Sequence, residues 1–321
     1  MKSLLVAGYG SIGRRHVDNL KKHKFKISVY DKNIKLKKEL RSLKIDFLTS
    51  LNNIKKKFDG IIISTPTHLH IDTLNLLIDK SDNFLIEKPL TNKPQLLKNI
   101  KQMKKKNLFI VCNMRFHPSI KIIKNTINKL GRIYYANAYY GYYLPKMRKK
   151  TNYKNNYSSK FSEGGGVIFD TIHEIDYLSW LLGPIKRIHS NSFKLSNLKI
   201  DVEDFANIMI EHKNNILSVI QADYLKSFKR RGCEIVGEKG SIIWSSEGKE
   251  NEHCTVKFYE AKKNKLSKIL DTKKLNNNLP YEELINHFIK AIDKKKNDLL
   301  SFKEAKKQIK ILSKIRKRFH K

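Results

Sequence analysis

The chain has 321 residues, 66 Lys and Arg against 30 Asp and Glu, and a formal net charge of +36. Its length predicts two domains; no apolar run approaches the ~20 residues of a membrane-spanning helix, and the amino-terminal apolar segment is too short for a signal peptide, so a soluble cytoplasmic protein with no membrane partner is expected. So basic a chain would ordinarily point to nucleic acid, but its 55 Lys and 11 Arg are spread evenly among Asn and Ile, as A/T-rich codons would spread them, so no nucleic-acid partner is expected and the surface instead steers anionic ligands inward.

The first predicted element is a buried strand, Leu4-Leu5-Val6-Ala7, which runs into Gly8-Tyr9-Gly10-Ser11-Ile12-Gly13 and the start of a helix. In this turn Gly8 permits the tight bend, Gly10 lets the backbone approach a pyrophosphate, and Gly13 lets the helix pack closely on the strand. The helix amino end, with Ser11 and Ile12, supplies N–H donors and the positive end of the dipole. A second strand delivers Asp31, 18 residues past Gly13, where a carboxylate suits the ribose 2′-hydroxyl of NAD; the neighbouring Lys32 leaves NADP open. Alone, the motif also fits an α/β domain that binds another nucleotide or none.

A helix is predicted over 34–43 and a strand over 60–64, followed by Thr65-Pro66-Thr67-His68-Leu69-His70 and a helix through Leu74, Leu77 and Ile78. The short strand Phe84-Leu85-Ile86 ends in Glu87-Lys88-Pro89; a helix to about residue 106 and a strand over 108–111 complete the alternation. Such alternation means a parallel sheet with right-handed crossovers. Ligands of these sheets bind at the carboxyl ends of the strands, where Gly8, Asp31, Thr65 and Lys88 fall. Pro89 removes the α conformation from Lys88 and makes a cis bond available, so the ammonium is held rather than trailing. By residue type alone Lys88 would be one more solvent-facing lysine; its place at the mouth of a dinucleotide site singles it out.

From about His117 the pattern changes to a helix ending near 129, an aromatic strand over 133–143, and a lysine- and asparagine-rich stretch over 146–160 that reads as a mobile surface loop, either solvated linker or lid. Gly164-Gly165-Gly166 opens a helix running to Leu182 and closed by Gly183-Pro184. Strands over 185–193, 205–211, 216–224, 231–236, 241–245 and 255–259, with turn signals between several of them, imply an antiparallel sheet. The last helix carries Phe302, Ala305, Ile309, Leu312, Ile315 and Phe319 on one packed face. Cys112, Cys233 and Cys254 lack metal-ligand spacing and are expected to be buried thiols; no metal site is expected.

On the helix after the triple glycine, a wheel of 100° per residue groups Asp170, His173 and Tyr177 opposite Ile168, Ile172, Ile175 and Leu182, giving a reactive face and a core face. A carboxylate three residues before an imidazole can fix its tautomer and leave the other ring nitrogen as a base near neutral pH. The plain alternative is a structural Asp–His pair on a solvated face.

Together, Gly8-x-Gly10-x-x-Gly13-Arg14-Arg15-His16, Glu87-Lys88-Pro89, and Gly164-Gly165-Gly166 followed by Asp170, His173 and Asp176 resemble the Gfo/Idh/MocA family of glucose-fructose oxidoreductase and inositol dehydrogenase, over essentially the whole chain. The resemblance implies an α/β protein: a doubly wound Rossmann sheet over 1–116 that binds NAD(P), then an α/β domain over 117–321 with an open, mostly antiparallel sheet. That sheet would bind substrate on one face and build a homodimer or homotetramer on the other, with the final helix packing back on the first domain. It further implies hydride transfer between nicotinamide and a secondary alcohol or ketone of a sugar, cyclitol or nucleotide-sugar.

Carried over by position, Lys88 and His173 would be the catalytic pair, with Asp170 beside the imidazole. Thr65, Pro66, His70 and Glu87 would join the glycine loop and Asp31 around the cofactor. Arg115, His117 and Tyr177 are the candidate substrate contacts, Arg115 and His117 lying with Asn113 where the first domain hands over to the second. Many members space the Asp and His by four residues; here the interval is three, and the form Asp-x-x-His-Glu-Ile-Asp resembles members of surface-sugar pathways. The alternative from another class is a non-catalytic NAD-binding sensor or scaffold on the same fold.

Overall fold

The computed structural model describes residues 1–100, 106–147, 152–248, 251–316 and 319–320. In chain order the elements are β1 (Ser3–Ala7), α1 (Ser11–Leu20), β2 (Lys26–Tyr30), α2 (Leu36–Ser42), β3 (Asp46–Leu48), β4 (Gly60–Ile63), α3 (His70–Leu77), β5 (Asn83–Ile86), β6 (Asn107–Ile110), α4 (Pro118–Thr126), β7 (Ile133–Gly141), α5 (Leu144–Met147), α6 (Val167–Asp170) and α7 (Ile172–Leu182). They continue with β8 (Ile185–Phe193), β9 (Phe205–His212), β10 (Leu217–Asp223), β11 (Arg230–Gly237), β12 (Gly240–Glu247), β13 (Asn251–Glu260), β14 (Lys265–Asn276), α8 (Leu279–Ile292), β15 (Leu300–Ser301), α9 (Phe302–Arg316) and β16 (Phe319–His320).

Two units emerge, one of Met1–Asn113 with Tyr281–Ile309, the other of Met114–Pro280 with Lys310–Lys321. The first is built on a seven-stranded sheet of order β15-β6-β5-β4-β1-β2-β3, parallel except where β15 pairs antiparallel with β6. Its central strands are continuous apolar runs because both faces are covered: Leu4, Leu5, Val6, Ala7, Ile61, Ile62, Ile63, Phe84, Leu85 and Ile86 have no exposed surface. The carboxyl ends line up through the ladder: Gly8 N–H donates to Tyr30 O (2.7 Å), Ser64 N–H to Ala7 O (2.8 Å) and Glu87 N–H to Ile63 O (2.8 Å). Four adjacent strands therefore release their chain side by side at Gly8, Asp31, Ser64 and Glu87.

The second unit carries a nine-stranded sheet, β14-β13-β12-β11-β7-β10-β9-β8-β16, mostly antiparallel. β7 and β10 run parallel, and so do β8 and β16. One face is packed: α6 and α7 lie on β7, β9 and β10, and α4 on β13. The other alternates outward, exposing Tyr135, Met209, Leu217 and Ile243.

Several expected boundaries move. Between β5 and β6 the chain makes tight helical turns over Pro94–Asn99 where a helix to about 106 was expected; the remainder of that expectation falls at 101–105, outside the described residues, as does part of the expected loop at 148–151. The helix after the triple glycine is not continuous. Thr171, at φ −79° and ψ 4°, ends α6 before α7 begins; its N–H (2.9 Å) and its hydroxyl both donate to Val167 O. Asp170 and His173 thus belong to two short helices, and a single wheel does not describe them.

Candidate active site

In the first unit the three glycines of the turn have different surroundings. Gly8 sits at φ +101°, and a Cβ there would lie 2.6 Å from the backbone of Ser64. A Cβ on Gly13 would lie 2.0 Å from Gly8 O, so this glycine is needed for contact between helix and turn. Over Gly10 the situation reverses: a Cβ would find nothing within 4 Å. Gly10 also caps α1 without a side chain, leaving open space at the start of a ten-residue helix whose first N–H groups point outward. A pyrophosphate fits this cradle by shape and by charge.

Asp31 is locked to the same turn. One carboxylate oxygen accepts from Tyr9 N–H (2.7 Å) and the other from Asn33 N–H (2.8 Å), which leaves lone pairs for a ribose diol. The Arg14 guanidinium lies 4.5 Å from the Tyr9 ring centroid and pairs with Glu39, bracing the turn from outside. Ser64 donates to Gly8 O (2.8 Å).

Lys88 follows β5, and its bond to Pro89 is cis. Glu87 is buried; Oε2 accepts from Lys88 N–H (3.2 Å) and Oε1 lies 2.8 Å from His16 Nε2 on α1. His16 thus ties the helix of the glycine turn to the Glu-Lys-Pro segment. His70, expected among the cofactor-side residues, is held between two backbone carbonyls. It is 1% exposed, with Nε2 at 2.8 Å from Thr65 O and Nδ1 at 3.0 Å from Pro89 O. Burial pushes its pKa down while the hydrogen bonds to those carbonyls pull the other way, and the ring ties the Thr65-Pro66 turn to Pro89.

In the second unit Asp170 is gripped by hydroxyls: Tyr224 donates to Oδ2 at 2.6 Å, Ser158 to Oδ2 at 3.3 Å and Tyr157 to Oδ1 at 3.2 Å. Its N–H donates to Gly166 O (3.2 Å), so the glycine turn sets its backbone too. His173 lies on the first turn of α7 with 9% of its surface exposed.

The three expected substrate contacts are all packed inside this unit. Arg115 makes a two-pronged ion pair with Asp176 (Nε–Oδ2 2.9 Å, Nη2–Oδ1 2.8 Å), both side chains buried. Tyr177 is fully buried edge-on to Trp244 at 5.9 Å between ring centroids, and burial drives its pKa well up. His117 is buried as the cap of α4, its Nδ1 accepting from Ser119 N–H (3.2 Å).

His117 Nε2 also faces Glu252 Oε2 (3.6 Å) and Cys254 Sγ (4.0 Å), a buried His–Glu–Cys trio within ligand reach of one ion. Its donors are already engaged. Ser119 N–H on Nδ1 places the neutral ring's proton on Nε2, the atom a metal would need, and Lys229 pairs with Glu252. Burial alone would raise the Glu252 pKa, but His117, Lys229 and Ser246 hold the carboxyl well below its usual range; burial raises the Cys254 thiol to about 11. The trio therefore reads as a closed polar network.

The sequence reading passed over two further buried acids. Glu174 on α7 meets Arg231 of β11 (2.8 Å), and Glu203 meets Arg316 at the end of α9 (3.6 Å). For Glu174 the signal in the sequence is its place in a helix rich in apolar residues, next to Ile175, where a buried acid needs a cation; Glu203, between Val202 and Asp204, carries no such signal.

Residues 2–113 match the model of an oxidoreductase family with an NAD-binding Rossmann fold, and residues 124–243 match that of the GFO/IDH/MocA C-terminal domain. An uncharacterised oxidoreductase of Synechocystis is 23% identical over 270 residues, 76% of this chain and 72% of that protein. Among solved structures, the WlbA dehydrogenase of Bordetella pertussis in complex with NADH and UDP-GlcNAcA superposes with a TM-score of 0.77 at 18% identity, covering 99% of this chain and 96% of that one. Levoglucosan dehydrogenase in complex with NADH and L-sorbose gives 0.82 at 17% identity, with the same coverage.

Proposed function

The chain belongs to the GFO/IDH/MocA oxidoreductase family and carries its NAD-binding Rossmann domain, and from that premise we propose that it transfers hydride between nicotinamide and a secondary alcohol or ketone of a nucleotide-sugar. The observation that carries the reading is the open cradle over Gly10 beside a fixed Asp31. The UDP-sugar and sugar complexes of WlbA and levoglucosan dehydrogenase support the substrate class, and the net charge of +36 favours an anionic member of it.

NAD supplies the hydride acceptor. The amino end of α1 and the N–H groups of the turn hold the diphosphate, and Asp31 accepts from the ribose hydroxyls, favouring NAD over NADP because a 2′-phosphate would meet its charge. Lys88 stabilises the oxyanion that develops on the substrate, and His173 takes the hydroxyl proton. Asp170, already committed to three hydroxyls, sets the ground on which His173 stands. The exposed sheet face around Tyr135, Met209, Leu217 and Ile243 is proposed to pack on a second copy of the chain, as light scattering would show.

The test is turnover of NAD with a panel of sugars, sugar phosphates and UDP-sugars, UDP-GlcNAcA included, in the wild type and in Lys88→Ala and His173→Ala. Loss of a general base costs ~10² to 10⁴ in rate; both variants should fall that far while binding NADH normally. Full turnover in both would sink the mechanism. Tight NADH binding by a wild type that turns over nothing in the panel would favour the sensor instead.

A further inference from the structure

The end of the last helix reaches a place where no basic residue would be expected. The Arg316 guanidinium lies between two aromatic rings, 4.5 Å from the centroid of Phe161 and 4.4 Å from that of Phe169, with its side chain 9% exposed. It donates to Gly165 O and stands 3.6 Å from Glu203 Oε2. Glu203 has no exposed surface; its Oε1 accepts from Ile168 N–H (3.0 Å) and its backbone oxygen from Val167 N–H (3.2 Å), so it holds the first turn of α6.

The glycine turn is moulded around this pair. Gly166 sits at φ +102°, and a Cβ there would lie 2.2 Å from Glu203 Oε1 and 2.7 Å from Arg316 Nη2. Gly165 N–H and Gly166 N–H fasten to Lys160 O and Ser158 O, each at 2.9 Å. Gly166 O then receives Asp170 N–H, and the chain that the glycines hold, residues 157–158, supplies two of the hydroxyls on the Asp170 carboxylate. One guanidinium thus organises both the backbone and the side-chain setting of Asp170, three residues before His173.

We propose that Arg316 is a positioning residue for the reaction: clamped between Phe161 and Phe169, it fixes the triple-glycine turn and through it Asp170 and His173. The clamp needs arginine. A flat guanidinium stacks on two rings and still points N–H groups at a carbonyl, whereas lysine keeps only the charge opposite Glu203. The inference rests on the roles proposed above for His173 and Asp170, so its test has an arm that needs no substrate.

Hydrogen exchange in Arg316→Ala, Arg316→Lys and the milder Phe161→Leu, at a ring that is half exposed, should show lost protection over residues 165–170 with the strands of the large sheet unchanged. Turnover of NAD with UDP-GlcNAcA should lose up to about 10²-fold in kcat in Arg316→Ala, as misplacement of a reacting group by an ångström does. KM for NAD should stay within about twofold. Millimolar free guanidinium added to Arg316→Ala should restore part of the rate, whereas Arg316→Lys, which keeps only the charge, should not. Wild-type protection over 165–170 in Arg316→Ala and Phe161→Leu would overturn the clamp, as would unchanged kcat per folded molecule. A wild type that fails to turn over this probe would count against the substrate reading, and exchange alone would then decide the clamp.

Discussion

Two alanine substitutions three residues apart, at Gly10 and Gly13, should separate ligand binding from packing. At Gly13 a Cβ meets Gly8 O at 2.0 Å, Gly8 C at 2.9 Å and Ser64 Oγ at 3.0 Å, and the first two are backbone atoms that cannot swing away. Overpacking costs ~1–3 kcal/mol; with the upper value, less ~1 kcal/mol gained because alanine favours the helix, Gly13→Ala should lose roughly 2 kcal/mol. At ~2–4 °C per kcal/mol for a unit of this size, Tm should fall by roughly 4–8 °C. Gly10 is at φ −70° with open space before it, so alanine is accepted without strain, and Tm should hold or rise slightly. The added methyl instead occupies the room kept for a diphosphate, and losing one charge-assisted N–H contact worth ~1.5–3 kcal/mol should weaken NADH about 10- to 100-fold. Paired melting curves and NADH fluorescence titrations measure both. Normal NADH affinity in Gly10→Ala would refute the placement of the phosphates; an equal loss of Tm in both variants would refute the division of roles.

Asp31→Ala should weaken NAD and narrow its margin over NADP, which calorimetry can follow; tighter binding of NADPH by the wild type would overturn the assignment of Asp31. Asp176→Ala strands the Arg115 charge in the interior, an error that costs about 3–5 kcal/mol. The pair Arg115→Met with Asp176→Leu should recover most of that in a melting experiment, and failure to recover would mean the ion pair itself specifies the fold. Burial lowers the pKa values of His70, His117 and His212. Below the ordinary value of ~6.5 the unfolded chain therefore binds more protons than the native one, and stability should fall as pH drops from there toward the native pKa values. A Tm unchanged between pH 7.5 and 5 would show that these rings accept their protons in place.

The dinucleotide half was legible because its physics is local. Leu4 to Ala7, Ile61 to Ile63 and Phe84 to Ile86 are unbroken apolar runs, and the glycine turn and Asp31 lie at fixed distances along one segment. β3 escaped notice at three residues, none fully buried. β14 is twelve residues long but lies mostly in solvent, so lysines replace the alternation by which strands are recognised. α8 could have been found: Pro280 in its first turn and the buried Leu284, Ile285 and Phe288 at helical spacing carried the signal.

The candidate site was harder, since its supporting contacts join residues far apart in the chain. Nothing within a few residues of Arg115 announces that Asp176, 61 positions on, will claim its guanidinium. The wheel that grouped Tyr177 with Asp170 assumes an unbroken helix, and the helix breaks at Thr171. Lys88 and His173 were named from their motifs, and their burial and backbone setting followed from the strand and helix ends that carry them.

The first unit is assembled from both ends of the chain, with consequences for its birth on the ribosome. Its sheet edge at β6 is closed by Leu300 and Ser301 pairing with Ile110 and Phe109, and α8 presses Phe288 and Ile292 against Gly60 so tightly that a methyl there would lie within 2.8 Å of Ile292. During translation the strands through β6 emerge first, yet the helix and edge strand that seal them arrive only after residues 114–280 of the second unit have been made. For that interval an open strand edge and an uncovered apolar face coexist, the combination most prone to pair with a neighbouring nascent chain. A fragment ending near residue 113 would prolong that state indefinitely, whereas one in which residues 281–309 follow residue 113 through a short linker carries its own cover and should be the form of the dinucleotide domain that stays in solution.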